Sequence, residues 1–315
     1  MSISVRHQYH LQNYLHTTLL LLGMLALLAL IGGLIAGRVG VIWSLLAGLF
    51  IFITAPRLPS RFLLRLYGAR QLYVDELPSL YQMLHTLAQR AGMQSIPVMY
   101  YLPSRVMNAF SLGTGNDTAI VVSDGLLRHL NQRELYAVLA HEISHIRNHD
   151  LMVLALADVI SRVTSLMSLT GYLLILIYIP ANIFTGQPIP WFLLIVLMIA
   201  PNISALLQLG LSRTREYVAD QGAVQLTNDP QGLMAALDKI EHYQGGWMER
   251  VFMPNRKLPD PSLLRTHPLT EERIKRLYEL AQQQSDIHPH HNEILKHSLP
   301  ESVKRPRRRI NGLWY

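Results

Sequence analysis

The sequence contains no cysteine and few charged residues. The first absence excludes certain covalent and metal-binding chemistry, and the second limits the class of protein. Without cysteine the chain can form no disulfide, and any metal must be held by histidine and carboxylate side chains. Only 16% of the residues are charged and 50% are hydrophobic, which is too apolar for a typical soluble protein of 315 residues. The composition therefore indicates a membrane protein.

Long apolar segments predict membrane spans arranged as two hairpins. In the first hairpin, residues 17–37 and 39–55 are separated by Arg38 alone. In the second, residues 164–184 and 191–211 are joined by a short link. These segments approach or reach the roughly 20 residues that a helix needs to cross a bilayer. The second hairpin could lie partly in the interface or in the protein interior, because prolines and asparagines are expected to interrupt it: Pro180, Asn182, Pro201 and Asn202.

Basic residues flank the spans unevenly and predict which side of the membrane the soluble parts face. The hairpin tips hold only Arg38, whereas the other flanks hold Arg6, Arg57, Arg61, Arg65, Arg70, Arg147, Arg162, Arg213 and Arg215. Because cytoplasmic loops are enriched in lysine and arginine, both termini and the central soluble block are expected in the cytoplasm. A nucleic-acid partner is not expected, since the basic run KRPRRR is short and has no interleaved aromatic residues.

The segment AVLAHEISHIRNHD carries the clearest chemical signal, inside an apolar helical pattern. His141 and His145 are four residues apart and project from one face of a helix, where two imidazoles can hold one Zn²⁺. Glu142 follows the first histidine and suits a general base acting on water activated at zinc. Asn131 and Glu134 predict a capping box at the start of this helix.

A catalytic zinc site needs a third protein ligand. In one arrangement it is a histidine ten residues after the first, but the chain has Leu151 there, and His149 lies too far along the helix axis to be favoured. In another arrangement it is a glutamate from a later helix, which SRTREYVAD supplies as Glu216. Asp220, four residues further on the same face, would accept the second N–H of a ligand histidine.

The expected fold is mainly α with a small β-sheet. SIPVMYYLP predicts a strand, and NAFSLGTGNDTAIVVSDGLL predicts a hairpin that turns at residues 113–117. Asn108 and the NAFSLG strand are expected to form an exposed edge beside the metal that binds a substrate backbone by strand addition. Further helices are predicted at residues 212–226, 230–243 and 269–284, with a loop at 244–268.

In combination, these features resemble the HtpX-type membrane zinc metalloproteases, relatives of the CAAX prenyl endopeptidases. The likeness rests on the N-terminal spans, NAFSLG, AVLAHEISHIRNHD, the second hydrophobic hairpin, SRTREYVAD and THPLTEERI. It implies a gluzincin-type protease domain combined with membrane helices. It also implies one Zn²⁺ per chain held by His141, His145 and Glu216, with Glu142 as the catalytic base. Relatives further suggest that His267 stabilises the oxyanion.

The resemblance implies a multi-pass protein of the bacterial inner membrane that hydrolyses misfolded or damaged membrane proteins in quality control. Two alternatives stay open: a CAAX-type protease that processes prenyl peptides, and a catalytically inactive scaffold with a structural metal. The expected organisation is an N-terminal hairpin at 1–56, a protease domain in two parts at 57–163 and 212–284, the second hairpin at 164–211, and a basic, histidine-containing tail at 285–315.

Overall fold

Long helices and one small sheet make up the computed structural model, which describes residues 3–54, 64, 68–113, 115, 117–186, 190–252 and 270–287. The elements in chain order are α1 (Ile3–Thr54), β1 (Arg70–Gln71), α2 (Pro78–Arg90), β2 (Val98–Leu102), β3 (Ala109–Leu112), β4 (Ala119–Ser123), α3 (Asp124–His129), α4 (Gln132–Arg147), α5 (Asp150–Thr185), α6 (Trp191–Thr227), α7 (Pro230–Phe252) and α8 (Thr270–Ile287). Some residues singled out in the sequence lie outside the described residues: Arg57, Arg61, Arg65, His267 and the tail with its histidines and KRPRRR. The expected fold class, mainly α with a small sheet, is confirmed.

Helix α1 contains both N-terminal spans and folds back on itself. The helical backbone breaks at Ala36 and Gly37, and Gly37 adopts a φ of 59° that favours glycine. Beyond the break the two halves touch, since a Cβ added to Gly40 would overlap the carbonyl oxygen of Gly32. The tight hairpin predicted around Arg38 is therefore present.

Helices α5 and α6 form the second hairpin and are joined by a 2.9 Å hydrogen bond between the hydroxyls of Ser161 and Ser204. The expectation that prolines interrupt this hairpin is wrong, because Pro180 and Pro201 lie inside continuous helices. A proline removes one backbone donor, and a helix in a packed membrane bundle tolerates that loss. Helix α6 also runs on beyond the apolar segment to Thr227, which carries the chain into the soluble part.

Three helices in the described part of the chain are long and apolar enough to cross a membrane: Leu15–Phe50, Asp150–Pro180 and Trp191–Thr227. The first of these segments is the α1 hairpin. The helices pack through apolar side chains from all of them, including Met24, Ile160 and Leu211. The protein is therefore a membrane protein built around a helical bundle.

The sheet has the strand order β1-β2-β4-β3, with β2 and β4 parallel and the other pairs antiparallel. The predicted β3–β4 hairpin is confirmed, and within the described residues β3 pairs with β4 alone and forms an edge of the sheet. Helix α4 packs against β3, α2 and α7 around a buried apolar core that includes Leu84, Ile120 and Leu139. The loop expected at residues 244–268 is wrong at its start, because α7 continues to Phe252.

The start of α4 is fixed by the predicted capping box. Asn131 Oδ1 accepts a 2.9 Å hydrogen bond from the Glu134 backbone N–H, and Glu134 Oε2 accepts one of 2.9 Å from the Asn131 N–H. Lys239 of α7 binds the same Glu134 carboxylate at 2.8 Å. These contacts set where α4 begins, and thereby which of its residues point inward.

The close contact within α1 can be tested by cross-linking, because the natural chain has no cysteine. A Cβ at Gly48 would lie 2.9 Å from the side chain of Leu25, so the double variant Leu25→Cys, Gly48→Cys should cross-link within one chain under mild oxidation. Leu46 is 49% exposed on the other side of the same half-helix, so Leu25→Cys, Leu46→Cys is the matched control and should not. Equal cross-linking of both pairs would contradict the hairpin packing.

Candidate metal centre

Two histidines of α4 and one glutamate of α6 meet in the interior. His141 Nε2 and His145 Nε2 lie 3.1 Å apart, and Glu216 places Oε2 3.4 Å from the first and Oε1 3.5 Å from the second. All three residues are buried, and one ligand atom from each lies within 4.8 Å of the others. This group could hold a metal ion. The same three residues are the zinc ligands that the family resemblance implies.

Close packing between α4 and α6 brings Glu216 to the histidines. Gly222 faces the buried Ser144, and an added Cβ would overlap the Ser144 hydroxyl oxygen. A larger residue at position 222 would hold the two helices apart, because both are packed into the core at this point. The glycine therefore permits the approach that the site needs.

Each histidine contacts a buried aspartate through Nδ1, and each aspartate contacts a buried arginine. His145 Nδ1 lies 2.8 Å from Asp150 Oδ2, and Asp150 Oδ1 accepts a hydrogen bond from Arg215 Nε. His141 Nδ1 lies 3.0 Å from Asp220 Oδ1, and Asp220 Oδ2 accepts a 2.8 Å hydrogen bond from Arg273 Nε. Such partners orient a ligand imidazole and select its tautomer.

Arg273 also contacts Glu216, the third residue of the candidate metal-binding group. Its Nη1 lies 3.2 Å from Glu216 Oε2, so one guanidinium of α8 holds both Glu216 and Asp220. A cation–π contact one turn further along α8 adds to this docking, with the Arg276 guanidinium 3.6 Å from the centre of the Tyr217 ring. Helix α8 therefore stabilises the arrangement from outside the ligand helices.

The charges buried around the site do not cancel when both imidazoles are neutral. The cluster contains four carboxylates and two guanidinium groups, each residue at most 5% exposed: Glu142, Asp150, Glu216, Asp220, Arg215 and Arg273. The resulting net charge is −2, and a buried excess of charge is costly unless it is compensated. A divalent cation would compensate it.

Protons can supply the missing charge in the metal-free state. Burial by itself lowers the pKa of an imidazole, but the carboxylates of Asp150 and Glu216 outweigh burial and raise the pKa of His145 to about 10. Burial also acts to lower the pKa of His141, yet Asp220 and Glu216 raise it overall. His145 is therefore protonated at neutral pH when no cation is present, and its proton supplies part of the missing charge.

The other residues that the sequence analysis names as site candidates differ in where they lie relative to the metal-binding group. Asp220 lies against His141, as its spacing predicts. Asn108 is half-buried at the entry to β3, where its carbonyl accepts a 3.0 Å hydrogen bond from the Ser123 N–H. His149 is exposed in the turn between α4 and α5, with φ 56°, and is not part of the His141–His145–Glu216 group. His267 lies outside the described residues and stays a prediction.

Sequence reasoning missed three of the residues that support the site. Asp150 stands five residues after His145, just past the end of α4, which is a signal that could have been noticed. In the sequence Arg215 is one of the basic residues that flank the spans, whereas in the structure it is buried against Asp150. Arg273 belongs to the THPLTEERI segment, and no local pattern indicates that it reaches Glu216.

The chain is similar to known peptidases over most of its length. Residues 76–281 match the model of peptidase family M48. The chain is 32% identical over 282 residues to "Protease HtpX homolog" of Burkholderia ambifaria, covering 85% of this chain and 97% of that protein. It is 31% identical over 284 residues to the protein of the same name from Ralstonia pickettii, covering 86% and 97%. The crystal structure of S. mikatae Ste24p is similar with a TM-score of 0.46 and 20% identity, over 86% of this chain and 66% of that longer one.

Together with the family match, the fold and the site define a class: a membrane protease whose buried histidines and glutamate could hold a metal ion. The chain belongs to peptidase family M48 and is HtpX-like within it, which confirms the resemblance seen in the sequence.

Proton release on metal binding follows from the raised pKa values. A metal needs a neutral imidazole nitrogen, so its uptake near pH 7 should expel the proton of His145, and the raised pKa of His141 acts in the same direction. The apparent association constant for Zn²⁺ should rise by at least about tenfold per pH unit near neutrality, and the His145 contribution should vanish above its folded pKa of about 10. Calorimetry in buffers of different ionisation enthalpy measures the proton count. An affinity that does not change with pH between about 6 and 8 would contradict this.

Proposed function

We propose that the protein is a zinc endopeptidase that cleaves unfolded or damaged membrane proteins at the cytoplasmic face of a bacterial inner membrane. The observation that carries the proposal is the buried group of His141, His145 and Glu216, together with the buried Glu142 that follows His141 in the chain. Membership of family M48 and the likeness to HtpX proteins support the same activity. This is also the function that the sequence motifs favour over the prenyl-processing and scaffold alternatives.

The donor set fits zinc. Two imidazole nitrogens and one carboxylate make up the group that the described residues form, and three protein ligands are what catalytic zinc sites use. The net charge of −2 in the buried cluster matches one divalent ion per chain. When bound there, zinc would polarise the scissile carbonyl and make water more acidic.

Glu142 is the proposed general base. It follows the ligand His141 directly, is only 5% exposed, and acts electrostatically on both His145 and Arg273. A carboxylate in this position can take a proton from the attacking water and deliver it to the leaving amine. Asp150 and Asp220 are occupied with orienting the histidines, so they are less suited to that role.

Edge strand β3 is the proposed binding surface for the substrate backbone. It contacts α4, and its side chains Ala109 and Ser111 face the same side as the core around α4. The Asn108 carbonyl bonds to Ser123 of β4, so alternation along an antiparallel pair turns the backbone groups of Ala109 outward. An extended peptide added there needs no particular side chains, which suits unfolded substrates. Asn108, at the entry to β3, is proposed to bind the substrate as well.

The site also lies where the membrane segments meet the soluble part. Asp150 begins one apolar segment, Glu216 belongs to the extension of another, and Thr17 near the start of the first contacts Arg215. Substrates whose cleavable segment emerges from the bilayer would meet the site directly. The basic flanks at Arg6, Arg70, Arg147 and Arg213 favour the cytoplasmic side, although the buried Arg215 no longer counts among them.

Replacement of the proposed base tests the chemistry separately from metal binding. Glu142→Ala should retain zinc and lose about a hundred- to ten-thousandfold in the rate of hydrolysis of an unfolded protein, because general-base assistance is removed. Glu241→Ala, an exposed glutamate on α7, is the matched control and should keep full activity. Rates are measured on detergent-purified chain with zinc restored, and zinc content by elemental analysis. Equal hydrolysis by wild type and Glu142→Ala would contradict the assignment.

A proline in the edge strand tests substrate binding by strand addition. Ala109→Pro removes a backbone donor that faces away from β4, and edge strands tolerate proline at such positions. The loss of one hydrogen bond to the substrate should lower kcat/KM about two- to tenfold, mainly through KM. Ala109→Val, which keeps the N–H, is the control. Wild-type KM in the proline variant would argue against the edge as the binding surface.

A further inference from the structure

A chain of buried contacts joins the first membrane helix to one of the two histidines of the metal centre. Arg215 Nη1 donates a 3.4 Å hydrogen bond to Thr17 Oγ1 of α1, and Nη2 donates one of 3.4 Å to the carbonyl oxygen of Asn148. Its Nε donates to Asp150, whose other carboxylate oxygen lies 2.8 Å from His145 Nδ1. Thr17 is 7% exposed and Asp150 is fully buried, so water does not compete for these contacts.

We infer that Asp150 and Arg215 are positioning residues for His145, and that Thr17 of the first membrane helix holds Arg215 in place. Zinc affinity and ligand geometry would then depend on the membrane bundle as well as on the soluble domain. The inference rests on the proposed function, because it concerns how the chain holds the zinc that the function requires.

Asp150 determines which nitrogen of the His145 imidazole is available to bind zinc. A proton on Nδ1 shared with Asp150 leaves Nε2 with its lone pair, and Nε2 is the atom that lies 3.1 Å from His141 Nε2 and 3.5 Å from Glu216 Oε1. Without that acceptor the ring could take the other tautomer or rotate about its side-chain bonds. Loss of such a partner typically weakens metal binding about ten- to a hundredfold.

Arg215 is needed because Asp150 carries its charge in the interior. An isolated buried carboxylate would protonate or move toward water, and the guanidinium compensates it. The planar fork of Arg215 reaches the carboxylate, the Asn148 carbonyl and the Thr17 hydroxyl together, which a lysine cannot do. Arg215 also precedes Glu216 on α6, so movement of this helix would displace both groups.

Helix α5 also carries an exposed ion pair, which serves as a control for the buried pair of Asp150 and Arg215. Arg162 Nε lies 2.7 Å from Asp158 Oδ2 one turn away, and the two side chains are 67% and 44% exposed. Exposed pairs of this kind contribute little. Thr164 provides a matched control for Thr17, because it is fully buried and its hydroxyl bonds to a carbonyl of its own helix.

The experiment compares zinc affinity in full-length variants purified in detergent, by competition with a chromogenic chelator. Asp150→Asn and Arg215→Met should each weaken zinc binding about ten- to a hundredfold. The factor by which the double variant loses zinc affinity should be much smaller than the product of the two single-variant factors, because both substitutions break the same chain of contacts. Thr17→Val should weaken binding about two- to tenfold, as expected for one hydrogen bond. The controls Asp158→Asn, Arg162→Met and Thr164→Val should bind zinc as the wild type does.

Cobalt substitution separates positioning from mere structural support. The visible absorption of bound Co²⁺ reports ligand geometry, so Asp150→Asn and Arg215→Met should shift the Co²⁺ spectrum while the controls leave it unchanged. The variants could instead show lower thermal stability without metal, but wild-type zinc affinity and an unshifted Co²⁺ spectrum. That result would overturn this inference and leave the proposed function standing. A wild-type chain that binds neither metal would overturn the proposed function, and this inference with it.

Discussion

Compensation of buried charge is the constraint on which the rest of this structure depends. Four carboxylates and two arginines are enclosed with two histidines, and they leave a charge of −2 that a divalent ion would cancel. Uncompensated charge in the interior is costly, so the residues around the site are arranged in pairs that limit it. The repeated order of histidine, aspartate and arginine on both sides of the centre is the form this compensation takes.

The same constraint explains why distant segments of the chain converge on one point. The histidines come from α4, the glutamate and one arginine from α6, and the second arginine from α8. Helix α6 has a double role, since its apolar part packs in the bundle while its extension carries Glu216 and Asp220 past α4. A membrane helix that continues into the site joins membrane anchoring and chemistry in one rigid element.

Local patterns were sufficient to predict much of the fold and the centre of the site. The spacing of His141 and His145, the capping residues Asn131 and Glu134, and the pairing of Glu216 with Asp220 are all determined within one or two turns of helix. The β3–β4 hairpin and the α1 hairpin follow from short turn signals. The resemblance to HtpX proteins rested on these same motifs.

The parts that could not be predicted depend on contacts between segments far apart in the chain. Arg215 belongs to a basic cluster typical of a membrane flank, and only the fold shows it buried against Asp150, 65 residues away. Pro180 and Pro201 indicate breaks locally, yet the packed hairpin keeps both helices continuous. Strand β1 has two residues, too few to form a pattern.

The most direct test of the central claim is zinc-edge X-ray absorption of the purified, zinc-loaded chain. We expect one zinc per chain, bound by two imidazole nitrogens and carboxylate oxygen, at roughly 2.0–2.2 Å. A shell made only of oxygen atoms, or the same spectrum after Glu216→Gln and His145→Gln substitution, would show that zinc binds elsewhere and would contradict the assignment of His141, His145 and Glu216 as ligands.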